Sequence, residues 1–460
     1  MFNPQIAHSV IDHALGLGAD FAELFIERQI RSSVETLSGA VKDVNSGIDF
    51  GIGVRLIFGF KVLYGYTNKA DGEELKRIVS ELAALDRRAA QPASFNFQQH
   101  RFANLHSVSK PLSTDHLVAS KVEFLLAAEQ AARNSEQISQ VTGSVSQREQ
   151  QITLFNSEGL EAHDTRHYCR ARTTAIAEDG QQQATGYNDD GGLIGWELEQ
   201  RMDAQAMGED AARMALVNLS AQPCPSGRMP VIIGNGFGGV IFHEACGHLL
   251  ETTSVAKQAS VFHDRLGDMI ANPVVNAVDD GTMANEWGSI NIDDEGMATQ
   301  KTQLIKNGRL VNFLADRQGA LQTGLARSGS GRRESYKFAP ASRMRNTFIE
   351  PGNDRFDDMI ASIDKGIYAA RMGGGSVQPG TGEFNFAVTE GYYVENGKVQ
   401  YPVKSATLIS TGPQVLQEIS MVSDDFKLAC GMCGSVSGAV PTTVGQPALK
   451  VDDILVGGQA

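Results

Sequence analysis

Cysteine and positive charge are both scarce in this chain. Five cysteines in 460 residues, Cys169, Cys224, Cys246, Cys430 and Cys433, are an odd number in a long chain; that argues against a disulfide framework and reads as reduced thiols available for chemistry. Lys and Arg total 40 against 54 Asp and Glu, a formal net charge of −14, which opposes the phosphate neutralisation behind nucleic-acid binding, so direct nucleic-acid contact is not expected. No run of about 18 apolar residues occurs, and Met1 to Gly16 lacks a basic segment followed by an unbroken apolar stretch. Neither a membrane span nor a secretory signal is therefore visible, and a cytoplasmic location is expected. What the chain does have is 42% apolar content over a length beyond the roughly 250 to 300 residues at which single cores stop growing, so at least two domains are expected.

Ile6, Val10, Ile11, Ala14 and Leu15 recur at helical spacing up to Gly16 and Gly18, after which Ala22, Leu24 and Ile26 alternate as in a strand. Gly51 to Tyr66 reads as a hairpin about Gly59, and Leu75, Ile78, Val79, Leu82 and Leu85 as an amphipathic helix. Beyond a Gln-rich connection from Pro92 to His106, Leu117, Val118, Val122, Leu125 and Leu126 mark another helix. Strand-like segments follow from Ile138 to about Thr174, then a helical stretch from Asp203 to Leu219, and Pro223, Pro225 and Gly227 punctuate the join behind it. These signals predict an α+β fold: an N-terminal domain over 1–222, divisible into lobes 1–108 and 109–222, then a mostly β C-terminal domain over 223–460. In the latter, Asn307-Gly308 and Asn396-Gly397 are hairpin signals. Strands are expected at Pro230–Ile233, Ser289–Asp293, Thr302–Ile305, Phe384–Thr389 and Gly391–Val394, and helices at Val240–Glu251 and Phe356–Ile363.

Reaction chemistry concentrates in Phe242-His-Glu-Ala-Cys-Gly-His248. Two imidazoles can hold zinc while the carboxylate beside the first takes a proton from water. The common metalloprotease pattern places its histidines at i and i+4, but here they stand at i and i+5. Five steps of about 100° would separate them by roughly 140° on a regular helix, too far to share an ion. A metal-binding helix is therefore expected to be distorted between His243 and His248, with a local widening eased by Gly247. The bland alternative is a pair of histidines hydrogen-bonded in a core. Zinc with one open position needs a third protein ligand, and Glu251, His263, Asp264, Cys430 and Cys433 all remain candidates on residue chemistry. Just upstream, Gly234-x-Gly236-x-x-Gly239 matches a dinucleotide fingerprint, but no acidic residue closes a second strand about 20 residues on, so the glycines read as packing devices.

The motifs His243-Glu-Ala-Cys-Gly-His-Leu-Leu-Glu251, Val278-Asp-Asp-Gly-Thr-Met283, Ile292-Asp-Asp-Glu-Gly296, Gly331-Arg-Arg-Glu-Ser-Tyr336, Gly431-Met-Cys-Gly434 and Val444-Gly-Gln-Pro447 resemble the TldD/PmbA family of metalloproteases, in its TldD branch. Asp20-Phe-Ala-Glu-Leu24, Gly51-Ile-Gly-Val-Arg55 and Ala212 to Ser220 extend the likeness over nearly the whole chain. The resemblance implies a cytoplasmic Zn²⁺ peptidase that hydrolyses small or unfolded peptides in a cleft at a dimer interface. It implies His243, His248 and Cys433 as metal ligands and Glu244 as general base. It also implies assembly as a homodimer, or as a heterodimer with a TldE/PmbA-like paralogue that lacks the metal motif. The rival within the fold is a non-catalytic peptide-binding subunit of such a heterodimer. Ser435 stands where the family often has lysine. Arg332 and Arg333 read as salt-bridge anchors, and Cys246 and Cys430 as structural thiols.

Overall fold

The computed structural model describes residues 2–86, 88–90, 94–114, 118–378 and 380–458. Pro92 and Leu117, which carry two of the expectations above, lie outside them. The helix Pro4–Gly16 begins where the Asn3 side chain accepts from Gln5 N at 2.9 Å, and it buries Ala7, Val10, Ile11, Ala14 and Leu15. The helix Gly72–Ala83 buries Leu75, Ile78 and Val79. Leu85 lies past its end and is exposed.

Both helices cover the strands Phe21–Leu37, Ala40–Phe58 and Lys61–Thr67. These three do not form a sheet of their own. Phe21–Leu37 also pairs antiparallel with Ile138–Asn156, from Glu23 opposite Asn156 to Leu37 opposite Thr142, and Leu160–Glu178 and Gln183–Gly192 continue the same sheet. One sheet therefore runs through residues 1–108 and 109–222 alike. The helices Val118–Ala132 and Ala204–Leu219 pack on its later strands, and Asp203 caps the second by accepting from Gln205 N at 2.9 Å.

The C-terminal region is mostly β. An eight-stranded sheet places Gly227–Ile233 between Lys365–Gln378 and Leu449–Gly457, and a six-stranded sheet ends in Gly438–Gln446 with Lys427–Ser435 at its edge. Asn307 and Asn396 adopt left-handed φ of 49° and 52° ahead of Gly308 and Gly397, as tight hairpin turns require. The runs Phe384–Thr389 and Gly391–Val394 form one strand, Glu383–Glu395, and a helix spans Phe356–Ala361.

Ser289–Asp293 is not a strand. Asp293 Oδ1 accepts from the backbone N–H of Glu295 and Met297 at 3.0 and 2.9 Å, and its Oδ2 from Gly331 N at 3.0 Å. A side chain that binds local backbone in this way draws it out of a ladder.

The N-terminal sheet meets the C-terminal region through buried charge. Arg55 donates to Glu23 Oε2 at 2.5 Å and to Glu295 Oε1 at 2.6 Å, and Arg333 donates to Glu23 Oε1 at 2.6 Å. Arg166 pairs with Asp294 at 2.8 Å. Each of these side chains is almost wholly buried.

Candidate metal centre

After a 3₁₀ turn Gly236–Gly239, the segment Val240–Glu251 expected to be one helix is two short pieces, an α-helix Val240–Ala245 and a second 3₁₀ turn Gly247–Leu250. The break falls at Cys246 (φ −131°, ψ −50°). A distortion between the histidines is present, but it interrupts and tightens the helix where a widened turn was expected. Gly247 packs closely there: a Cβ on it would lie 2.1 Å from Met344 Sδ, so a larger residue would require that side chain to move. The upstream glycines pack in the same sense, since a Cβ on Gly234 would lie 2.5 Å from Ala370 O and one on Gly239 2.6 Å from Gly445 N.

The break brings the two imidazoles to a ring separation of 5.1 Å at 83°. Cys433, on the edge strand Lys427–Ser435, places its Sγ 3.2 Å from both His243 Nε2 and His248 Nε2. One donor atom from each of the three residues lies within 4.8 Å of the others. Glu244 reaches the same point, with Oε2 3.6 Å from His248 Nε2 and about a quarter of its side chain exposed, 26%.

Glu251 is not part of the cluster but fixes it. Its Oε2 lies 3.0 Å from His248 Nδ1, and its Oε1 accepts from Met344 N at 3.2 Å. A proton on Nδ1 shared with Glu251 leaves Nε2 free to face the cluster. Burial favours the neutral ring of His248, yet Glu251 and Cys433 outweigh it and hold its pKa well above the ordinary value. Burial also disfavours a thiolate, but His243 and His248 hold Cys433 well below its usual range. Arg343, fully buried and not foreseen from the sequence, donates to the carbonyl of Cys433, to Ser437 Oγ at 2.9 Å and to Gly438 O at 2.8 Å. Its only signal is the alternation Arg343-Met-Arg345 in a segment to which the sequence assigns no element.

The remaining candidates sit elsewhere. His263 Nδ1 is 2.9 Å from Ser260 O and 3.9 Å from Asp264. Cys430 packs with Tyr168, Leu193 and Trp287, and burial pushes its thiol well up. Cys246 is fully buried, and its thiol is likewise pushed up by burial. Arg332 donates to Met344 O at 2.7 Å, and Arg333 is held by Glu23 and Asp294 O. Ser435 is exposed, opposite Gly438 at the end of the hairpin.

The donor set fits zinc. Two imidazole nitrogens and a thiolate sulfur are its preferred ligands, and at tetrahedral angles with normal bond lengths N and S stand about 3.6 Å apart, a few tenths of an ångström beyond the 3.2 Å here. His243 Nδ1 is buried without a partner among the described residues, so Glu251 is the one outer carboxylate orienting a ligand. Outer partners of this kind are worth about 10- to 100-fold in metal affinity. Glu251→Gln is therefore expected to weaken zinc binding by that range in competition with a chelator. Unchanged affinity would mean that packing alone orients His248.

Comparison with known proteins defines the class. Residues 22–85 match domain 1 of the PmbA/TldA metallopeptidases, 112–219 their central domain and 226–458 their C-terminal domain, and the chain belongs to this PmbA/TldD family of metallopeptidases. Within the family it is similar to a metalloprotease TldD homologue of Haemophilus influenzae, 36% identical over 95% of this chain and 93% of the relative. A zinc metalloprotease TldD homologue of Saccharolobus solfataricus is 25% identical, over 97% of this chain and 99% of the relative. Among solved structures, TldE from Thermococcus kodakarensis shares the fold with a TM-score of 0.76 at 18% identity, covering 98% of this chain and 100% of that one. A Thermotoga maritima protein described as a candidate modulator of a DNA gyrase does so with a TM-score of 0.81 at 19% identity, covering 99% and 100%. Relatives of the chain are thus named metalloproteases, and no helix among the described residues is long and apolar enough to cross a membrane.

Proposed function

We propose that the chain is a zinc-dependent peptidase that hydrolyses small or unfolded peptides. The observation that carries this reading is the convergence of His243, His248 and Cys433 from two distant segments, with Glu244 beside them. Zinc, when held by these three residues, supplies Lewis acidity toward a carbonyl oxygen and makes water a stronger acid. Glu244 accepts the proton from the attacking water and returns it to the leaving amine, acting first as base and then as acid. His248 is kept in register for this by Glu251.

Selectivity for unfolded chains follows from access. His243 and Cys433 are buried, and the cluster meets solvent mainly through Glu244 and the edge of His248. An extended peptide can enter such a recess, whereas a folded chain already uses its backbone groups internally. Pairing with a second copy, or with a TldE/PmbA-like paralogue, would enclose the site further. The free cysteines among the described residues suit a reducing compartment, hence the cytoplasm. A purely peptide-binding subunit has no chemical need for three ligands and a carboxylate at one point, which disfavours that alternative.

The test is elemental analysis of the purified chain together with incubation of one polypeptide in folded and denatured forms. One zinc per chain and cleavage of the denatured form alone are expected. Equal cleavage of both forms would remove the selectivity, and a metal-free chain that still hydrolyses peptides would remove the mechanism.

A further inference from the structure

Arg31 and Arg148 stand directly opposite each other on the neighbouring strands Phe21–Leu37 and Ile138–Asn156. Like charges in that position destabilise a sheet. Neither forms an ion pair among the described residues. Arg31 Nε and Nη2 donate to the neutral amide oxygen of Gln29 at 2.9 and 2.6 Å, and Arg148 lies over the Tyr168 ring, 4.5 Å from its centroid. The carboxylates in the vicinity are engaged elsewhere: Glu27 accepts from Gln150 Nε2 and Tyr336 N at 2.6 and 2.7 Å, and Glu334 from Ala439 N at 2.7 Å. Burial pulls the Arg148 guanidinium below its ordinary pKa, outweighing the opposite pull of Tyr168 and Glu27.

Arg31, Arg148, Tyr168 and Glu334 line one cleft of about 500 Å³. Its floor includes the row Gly47, Arg31, Arg148, Tyr168, one residue from each of four neighbouring strands. Its wall is the hairpin that carries Cys433, which contributes Met432 and Pro441, together with Trp287. A Cβ on Gly47 would meet nothing within 4 Å, so the row is open at that end. Side chains alternate along a strand, and Met432 and Cys433 therefore face opposite sides of it. The cleft is separate from the metal centre but shares its edge strand.

We propose that this cleft binds a carboxylate borne by an extended peptide, clamped between Arg31 and Arg148, with the adjoining apolar side chain against Met432, Pro441 and Trp287. Guanidinium forks match a carboxylate in two-point geometry. The ligand class rests on the peptidase reading, while binding is measured without hydrolysis, so the two stand or fall separately.

The experiment uses the full chain with its metal, carrying Glu244→Gln, and follows binding by calorimetry and by the fluorescence of Trp287. The chain has two tryptophans, both buried, and of the two Trp287 lines the cleft. The probes are one short unstructured peptide with a free C-terminal carboxylate, its C-terminal amide, and the amide carrying one internal glutamate. At least one acidic form is expected to bind about tenfold tighter than the neutral amide. Whichever acid binds tighter tells a terminal from a side-chain carboxylate. Arg148→Met should erase the preference, and so should Gly47→Leu, which adds bulk at the open end of the row, where a Cβ would meet no neighbour within 4 Å. Equal affinity for all three probes would overturn the proposal, as would a preference undiminished in both variants. A carboxylate preference in a chain that hydrolyses no peptide when zinc-loaded would support the cleft and remove the peptidase reading.

Discussion

Replacing Glu244 by glutamine is expected to lower peptide turnover by about 10²- to 10⁴-fold while zinc content stays the same. The amide is nearly isosteric, so it should leave in place the cluster of His243, His248 and Cys433, none of which depends on Glu244 for its 3.2 Å contacts. What it lacks is a basic oxygen. Glu244 Oε2, 3.6 Å from His248 Nε2 and partly open to solvent, is the carboxylate beside the cluster that can take a proton, because Glu251 is held by His248 Nδ1 and Met344 N. Cys433→Ala is the contrasting variant, in which zinc and turnover should be lost together. Turnover near that of the unaltered chain in zinc-loaded Glu244→Gln would show that another group handles the proton. Undiminished zinc in Cys433→Ala would transfer the third-ligand role elsewhere.

Arg55→Met is expected to cost about 3 to 5 kcal/mol of stability, the usual consequence of stranding a buried charge by removing its partner. Arg55 is 1% exposed and bridges Glu23 to Glu295, so its loss leaves two buried carboxylates with fewer donors. Glu23 keeps Arg333, and Glu295 keeps Arg317 N at 2.7 Å and Arg327 at 3.3 Å. The damage should therefore fall at the junction of the N-terminal sheet with the C-terminal region, read as a lower denaturation midpoint. The pH dependence has a defined sign. Burial would raise the Glu295 carboxyl, but Arg55, followed by Arg327, holds it below its ordinary value of 4.5. Its contribution is therefore complete above that value and drains as pH falls through the depressed folded value. In Arg55→Met the loss should begin at higher pH. An unchanged midpoint and acid limb would mean that the junction is held by apolar packing instead.

Much of the local structure was legible from the residues alone. The helices Pro4–Gly16, Gly72–Ala83 and Ala204–Leu219 follow apolar spacing and, in each case, an Asn or Asp cap, and the turns at Asn307-Gly308 and Asn396-Gly397 follow from positive φ. His243, Glu244 and His248 stood out because metal chemistry at that spacing leaves a short pattern. These are features set by neighbours within a turn or two of chain.

Tertiary structure decided the rest. Residue chemistry left Glu251, His263, Asp264, Cys430 and Cys433 open as partners of the histidines, and only the family resemblance singled out Cys433. In the fold, strand alternation turns Cys433 toward the histidines and leaves Cys430 against Tyr168 and Trp287. The tight break at Cys246 is followed by Gly247, on which Met344, about a hundred residues away in sequence, packs closely. Asp293 looked like the end of a strand, and instead it and the following Asp294 and Glu295 serve a buried ion network with Arg55, Arg166 and Arg327. The sheet joining Phe21–Leu37 to Ile138–Asn156 left no local trace either, because each strand reads the same whichever partner it finds. Local propensity depends on adjacent residues and survives in a one-dimensional string. Register, cross-strand charge and ligand convergence depend on which distant segments share a core, and that is settled only when the whole chain packs.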